Sequence, residues 1–202
     1  MPEEKSECCC KRRRLIMTTA AVGGVGIAVA SVPFIASMLP TDQQKALAAP
    51  IDVDISKLST GESLIVQWRG QPIWILKRSQ EMMKQVKGHD EELADPLSER
   101  GSLPDYCKNE YRARKEHPEV LVTIGVCTHL GCSPIAKLTP GAQDGLPNDW
   151  PGGFLCPCHG STFDVAGRVF KNKPAPDNLA IPPYRYLSAT LIRIGEDEKT
   201  AG

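Results

Sequence analysis

From Ile51 onward, the pattern of apolar and polar positions along the chain is typical of β-strands. The first two apolar runs flank Arg69-Gly70-Gln71, which predicts a β-hairpin with a three-residue turn. A proline is tolerated at the start of its second strand. Four segments predict strands: Leu64–Trp68, Pro72–Leu76, Val120–Val126 and Ala189–Ile194. We therefore expect a mainly β domain over residues 50–202.

The pattern changes between residues 79 and 119, where charged residues dominate. Met82, Met83 and Val86 recur at helical spacing, and Gly88 follows them. This combination predicts a short helix that the glycine ends. We interpret the segment as a helical insertion between two strands.

The N-terminal part contains a run of 27 residues without a charge, Leu15–Thr41. About 20 apolar residues in a helix are enough to cross a bilayer core, so this run predicts a transmembrane anchor. Four basic residues, Lys11–Arg14, come directly before it. By the positive-inside rule they place residues 1–14 in the cytoplasm and the main domain outside. Residues 42–49 are polar and small, and they predict a flexible linker.

The basic residues before the anchor also suggest a route of export. Arg12–Ile16 reads RRRLI and resembles the start of a twin-arginine signal, although adjacent arginines also suit an ordinary stop-transfer flank. Ala46-Leu47-Ala48 has the small-x-small form of a signal-peptide cleavage site. The apolar run is about twice as long as the usual core of a signal peptide, which favours a retained anchor.

Length and charge narrow the class of protein further. The 202 residues suit one globular domain with an appendage. Lys plus Arg and Asp plus Glu both number 24, so the chain has no overall basic field that would attract nucleic acid.

Two hexapeptides carry the strongest chemical signal in the sequence. CTHLGC, Cys127–Cys132, follows a predicted strand, and CPCHGS, Cys156–Ser161, follows the apolar segment Gly153–Leu155. Four of the eight cysteines and two of the four histidines lie in them. Two thiolates and two imidazoles suit either tetrahedral zinc or the mixed ligation of a two-iron cluster. The candidate ligands are Cys127, His129, Cys156 and His159.

The second cysteine of each hexapeptide helps to weigh the alternatives. Two plain disulfides between the loops would leave both histidines without a role, and zinc would leave Cys132 and Cys158 unexplained. Once four ligands are assigned, these two cysteines remain, one on each loop, in a compartment where thiols oxidise. A disulfide between them would join the loops and stabilise the fold by roughly 3 kcal/mol in the chain-entropy model.

The paired motifs resemble the cluster-binding loops of Rieske iron-sulfur proteins, specifically the iron-sulfur subunit of bacterial quinol-cytochrome c reductase, also called respiratory complex III or the cytochrome bc complex. The similarity extends to the anchor, the linker, the insertion and Lys173–Leu179, which is similar to the family's proline-rich loop. It implies a Rieske-type antiparallel β sandwich head with a small cluster-binding lobe, about residues 127–171. One N-terminal transmembrane helix precedes the head.

The resemblance also implies a role for each residue of the two motifs. One 2Fe-2S cluster is the expected cofactor, with Cys127 and Cys156 on one iron and His129 and His159 on the outer iron. Cys132 is expected to pair with Cys158. The expected contacts around the cluster are a hydrogen bond to a bridging sulfide from Ser161, shielding by Leu130, and contact with quinol at His159.

Two residues fall outside the family pattern. Phe163 stands where many members of the family have a tyrosine. Cys107 lies on the insertion, and we expect it to be a buried, unpaired thiol.

The function implied by the resemblance is electron transfer. The cluster is expected to take an electron, coupled to a proton, from quinol at the cytochrome b subunit. Movement of the head then delivers the electron to a membrane c-type cytochrome subunit. The chain would thus be the redox subunit of an oxidoreductase of the translocase class, active only within a dimeric complex. It would be a single-pass protein of the bacterial inner membrane with a periplasmic head.

Three other functions compete with this one. A soluble Rieske ferredoxin or ring-oxygenase component would have neither the anchor nor the second cysteine pair. The small subunit of a periplasmic molybdenum oxidase can share the export signal and the cluster, but the insertion and the linker favour complex III. A structural zinc module is the non-redox alternative. A cluster assembled in the cytoplasm must cross the membrane inside a folded head, which favours the twin-arginine interpretation.

Overall fold

The computed structural model of the chain describes residues 3–41, 46–101 and 103–197. The chain divides into two compact units between Ala46 and Leu47. In the first unit, helix α1 (Glu3–Ser37) contains a stretch, Cys10–Ser37, that is long and apolar enough to cross a membrane. The helix begins before the basic cluster, so the predicted cytoplasmic tail is helical from Glu3. Residues 42–45 of the predicted linker lie outside the described residues.

The second unit is mainly β, as predicted. Within the described residues it contains nine strands: β1 (Ile51–Asp54), β2 (Ser63–Trp68), β3 (Gln71–Lys77), β4 (Val120–Ile124), β5 (Ile135–Lys137), β6 (Gly153–Leu155), β7 (Thr162–Asp164), β8 (Tyr184–Ser188) and β9 (Leu191–Ile194). They form three antiparallel sheets of three strands each, in the orders β1-β9-β8, β2-β3-β4 and β5-β6-β7.

The turn between β2 and β3 is shorter than predicted. Gln71 pairs with Trp68 as the first residue of β3, so only Arg69 and Gly70 form the turn. Both have positive φ angles, 52° and 71°. This conformation gives a two-residue hairpin turn whose twist matches that of the flanking strands, which explains why the three-residue prediction was wrong.

Strand β4 ends two residues earlier than predicted, where a proline of β3 lies opposite it. The N–H of Gly125 still donates to Pro72 O at 2.8 Å in the register of the β3–β4 pair, but Pro72 has no N–H with which to return the bond. A Cβ atom at Gly125 would lie 2.3 Å from the Trp74 ring, so only glycine fits there.

The last strand is also shorter than predicted, because β9 begins at Leu191 and the two residues before it lie in the turn after β8.

The central sheet, β2-β3-β4, is covered on both faces. On one face, Ile73, Ile75 and Val122 pack with residues of the β1-β9-β8 sheet, which produces the predicted sandwich. On the other face, Leu76 and Leu121 pack against the lobe formed by β5-β6-β7. Burial on both faces explains why β3 and β4 are continuous apolar runs rather than alternating sequences.

The predicted helix of the insertion is present as α2 (Gln80–Val86). Ser79 caps its first turn, because the Ser79 side chain accepts a hydrogen bond from Met82 N. Val86 is fully buried at its last turn. In the described residues of the rest of the insertion lie two short 3-10 helices, Asp90–Glu92 and Asp105–Cys107.

Candidate functional site

The two predicted loops lie at the tip of the lobe and share one backbone hydrogen-bond pattern. Cys127–Cys132 follows β4, and Cys156–Ser161 connects β6 to β7. In each loop the first cysteine donates its N–H to the carbonyl of the residue five positions later. The N···O distances are 2.8 Å from Cys127 to Cys132 and 2.7 Å from Cys156 to Ser161. The backbone therefore brings both ends of each loop together in the same way.

A glycine closes the inner turn of each loop. Gly131 donates its N–H to Cys127 O, and Gly160 donates to Cys156 O, both at 3.0 Å. Their φ angles are 81° and 73°, in the left-handed region that favours glycine. The repeated glycine explains why the motifs end in Gly-Cys and Gly-Ser at the same offset from the first cysteine.

The four sulfurs of the loops fall into two classes. Cys127 and Cys156 are free thiols, each 2% exposed. Cys132 and Cys158 form a disulfide, as predicted. The Sγ atom of Cys156 lies within 4.8 Å of both disulfide sulfurs. Disulfide sulfurs are not thiolate ligands, so the sulfurs available to a metal in these loops are those of Cys127 and Cys156.

The two imidazoles lie together at the surface. The ring centroids of His129 and His159 are 4.7 Å apart, with the ring planes nearly perpendicular at 86°. His129 is half-buried and His159 is exposed. Leu130, beside them, has 72% of its surface exposed. The tip of the lobe is therefore an apolar and imidazole surface above two buried thiols.

The surroundings of Cys127 disfavour a thiolate whose charge is not compensated. The pKa of its thiol is raised, mainly by burial and also by the neighbouring Cys156, although hydrogen bonds from the His129 backbone N–H and the Ser161 hydroxyl lower it. Two adjacent buried thiolates are costly unless a positive charge compensates them. An iron pair held by the two buried sulfurs and the two surface imidazoles would supply that charge, so the donor set fits a mixed-ligand 2Fe-2S cluster.

A third loop, residues 173–179, contacts both cysteine loops. Ala175 donates its N–H to Ser161 Oγ at 3.0 Å, and Thr128 donates its hydroxyl to Asp177 O at 2.6 Å. The sequence indicated this loop only by its similarity to the family's proline-rich loop, and it gave no role to Thr128. The available signal was a hydroxyl residue directly after the first cysteine, but its partner is 49 residues away.

The two residues outside the family pattern lie in different cores. Phe163 is fully buried in the same apolar cluster as Cys127 and Cys156. Cys107 is a buried free thiol in the core of the sandwich, as expected, and burial raises its pKa to about 11.

Comparisons with known families agree with this geometry. Residues 106–184 match the model of the Rieske [2Fe-2S] domain. Residues 1–41 match a family model described as "Ubiquitinol-cytochrome C reductase Fe-S subunit TAT signal". The predicted twin-arginine signal is thereby confirmed over the ordinary stop-transfer flank.

Curated relatives cover nearly the whole chain. The ubiquinol-cytochrome c reductase iron-sulfur subunit of Allochromatium vinosum is 54% identical over 182 residues, which are 90% of this chain and 86% of the relative. The subunit of the same name from Bradyrhizobium diazoefficiens is 45% identical over 176 residues, 87% of each chain. Among solved structures, a chain of "Hyperthermophilic respiratory Complex III" is 24% identical with a TM-score of 0.43, over 87% of this chain and 97% of that one. The chain therefore belongs to the family of Rieske iron-sulfur subunits of ubiquinol-cytochrome c reductase.

Proposed function

We propose that Cys127 and Cys156 bind one iron of the 2Fe-2S cluster and that His129 and His159 bind the other. The observation that carries this assignment is the contrast between the two pairs. Both thiols are buried at matching positions of two loops with the same hydrogen bonds, whereas both imidazoles are adjacent at the surface. The iron with histidine ligands is then the outer one.

The cluster supplies one-electron chemistry at a raised potential, because replacing two thiolates by neutral imidazoles places Rieske centres at roughly −150 to +300 mV. The chain's own residues determine what reaches it. The exposed His159 ring presents a nitrogen at the surface, where it can bind a quinol hydroxyl and accept its proton. Leu130, exposed beside it, shields this contact from water. The hydroxyl of Ser161, fully buried at the end of the second loop, is placed to donate a hydrogen bond to a sulfur of the cluster.

The named relatives support the proposed physiological partners. Both are subunits of ubiquinol-cytochrome c reductase. We propose that the head receives an electron from quinol at the cytochrome b subunit of a dimeric complex. It then moves on the 42–49 linker to a membrane c-type cytochrome subunit.

The N-terminal helix and its signal support a proposed membrane arrangement. The 15–41 segment serves as a retained single-pass anchor in the bacterial inner membrane. Residues 1–14 lie in the cytoplasm, and the head, residues 50–202, lies in the periplasm. The support is the apolar Cys10–Ser37 stretch together with the match of residues 1–41 to a twin-arginine signal of this subunit.

The ligand assignment is tested by removing each ligand in the intact complex. Cys127→Ser, His129→Ala, Cys156→Ser and His159→Ala should each abolish the Rieske-type EPR signal and quinol oxidation. Cys107→Ser is the matched control, because it removes a buried thiol outside the loops and should keep the signal. A full signal from any of the four ligand variants would contradict the assignment. Co-purification with b-type and c-type haems tests the partners separately.

A further inference from the structure

A fully buried arginine of the insertion connects the segments that surround the candidate site. Arg112 has no exposed surface and lies in the left-handed backbone region, with a φ angle of 51°. This conformation costs a non-glycine residue about 1 kcal/mol or more and persists only where the surroundings impose it. The turn before it is held by Asn109, whose O accepts from Arg112 N at 3.1 Å and whose side-chain amide donates to Tyr106 O and Ala113 O.

The guanidinium of Arg112 joins two backbone segments. Nη1 donates to Ala166 O at 3.0 Å and to Gly167 O at 2.9 Å, and Nη2 donates to Leu179 O. Leu179 N in turn donates to Gly167 O at 2.8 Å. Arg112 therefore ties the turn after β7 to the end of the third loop.

Gly167 shows how closely the two sides fit. Its φ angle is 73°, and a Cβ atom there would lie 3.0 Å from Arg112 Nη1 and 3.4 Å from Leu179 Cβ. The absence of a side chain at this position lets the guanidinium reach both carbonyl groups of the turn.

The third loop transmits this attachment to the candidate site. Ala175 N donates to Ser161 Oγ, and that hydroxyl therefore uses a lone pair to accept from the third loop. Its own proton is left for another acceptor, because Ser161 is fully buried away from water and its carbonyl accepts from Cys156 N at 2.7 Å, which places it against the buried sulfurs of the loops. The position of the third loop thus orients the Ser161 O–H bond.

We propose that Arg112 is a positioning residue for electron transfer: by fixing the end of the third loop it orients the Ser161 hydroxyl toward the cluster sulfurs and so raises the reduction potential. The inference rests on the proposed ligand set. Hydrogen bonds donated to cluster sulfurs stabilise the additional negative charge of the reduced state, so a misdirected hydroxyl lowers the potential.

A buried positive charge could raise the potential without any positioning, and two variants separate these causes. Arg112→Lys keeps the charge and the backbone strain but loses the forked guanidinium. Arg112→Gln loses both the charge and the fork. If Arg112 acts by positioning, both variants should lower the equilibrium constant for one-electron reduction by a similar factor. We expect about threefold, which corresponds to a fall of about 30 mV in the midpoint potential. A normal potential in Arg112→Lys with a lowered one in Arg112→Gln would show a charge effect and overturn the proposal.

Arg78→Lys is the matched control. Arg78 is also buried, 2% exposed, and its side chain donates to Pro118 O rather than to the third loop. This variant should be destabilised by the loss of a buried guanidinium but should keep the potential. An equal fall in Arg78→Lys would overturn the proposal, because it would make the effect a general consequence of destabilisation.

A double-mutant cycle tests the route through Ser161. In redox titrations of the intact complex followed by EPR, Ser161→Ala should lower the midpoint, and adding Arg112→Lys should cause no further fall. If the two falls in midpoint add, the inference about Arg112 is overturned, while the role of Ser161 stands. An unchanged midpoint in Ser161→Ala would overturn both the role of Ser161 and the inference. If neither Arg112 variant accumulates with a cluster, Gly167→Ala gives the same test, because its methyl group displaces the guanidinium.

Discussion

The disulfide between the two cysteine loops should control how long the head keeps its cluster. Cys132 and Cys158 are separated by 26 residues in the sequence. In the chain-entropy model, closing a loop of this length removes about 3.5 kcal/mol of entropy from the unfolded state at 25 °C. If this stabilisation acts on opening of the lobe, removing the bond increases the open population by about 400-fold, since about 1.36 kcal/mol is a factor of ten.

The geometry decides which variant is informative. The Cys156 sulfur lies within 4.8 Å of both disulfide sulfurs, so a single substitution leaves a free thiol that competes with Cys156 for iron. The double variant Cys132→Ser/Cys158→Ser avoids this competition. It also leaves the backbone hydrogen bond between Cys127 N and the carbonyl of residue 132 available.

The assay is the rate of cluster loss from the purified complex to an iron chelator, followed by visible absorption and EPR. We expect the double variant to assemble a cluster in part and to lose it faster than the wild type by one to two orders of magnitude. This range lies below 400-fold because separation of the two loops, unlike opening of the whole lobe, leaves the apolar contacts of the lobe in place. Cys107→Ser, which removes a thiol from the sandwich core, should lose its cluster at the wild-type rate. Equal rates in the double variant and the wild type would refute the reasoning.

Other predictions concern packing and movement. Phe163→Tyr adds one hydroxyl in the apolar cluster that holds Cys127 and Cys156, and it should raise the midpoint potential by tens of millivolts in a redox titration, while overpacking costs about 1–3 kcal/mol of stability; an unchanged midpoint would show that the hydroxyl does not reach a sulfur. Gly125→Ala should destabilise the head by at least 1–3 kcal/mol in chemical denaturation, since its Cβ would lie 2.3 Å from the Trp74 ring; a stability equal to that of the wild type would contradict this contact. Several prolines in the 42–49 linker should leave the EPR signal intact but slow quinol oxidation; normal turnover would exclude head movement on this linker.

Local patterns in the sequence predicted those helices and strands that form because of neighbouring residues. Periodicity or capping within a few residues predicts the apolar helix before residue 41, the helix after Ser79, and strands β2, β3, β4 and β9. The paired hexapeptides were recognisable because each supplies a complete loop: cysteine, histidine and a turn glycine in fixed spacing. The disulfide followed from counting the cysteines that remained.

The rest depends on contacts between distant segments, which no local pattern reveals. The attachment of Arg112 to Leu179 crosses 67 residues, and that of Thr128 to Asp177 crosses 49. The hairpin turn was predicted one residue too long because the conformation of Arg69 depends on the twist of the strands beside it. Burial on both faces of β3 was also hidden, since a continuous apolar run does not show what covers each face.

The double-sided central sheet has a consequence for biogenesis. If the lobe were open, Trp74, Leu76 and Leu121 on one face of that sheet would lose the cover of Phe154 and Phe163, leaving an apolar patch on an otherwise folded sandwich. Patches of this kind promote association with chaperones and with other unfolded chains. Closing the lobe around its cofactor removes the patch, so the same hydrophobic contacts that hold the loops also distinguish a loaded head from an empty one before it is exported.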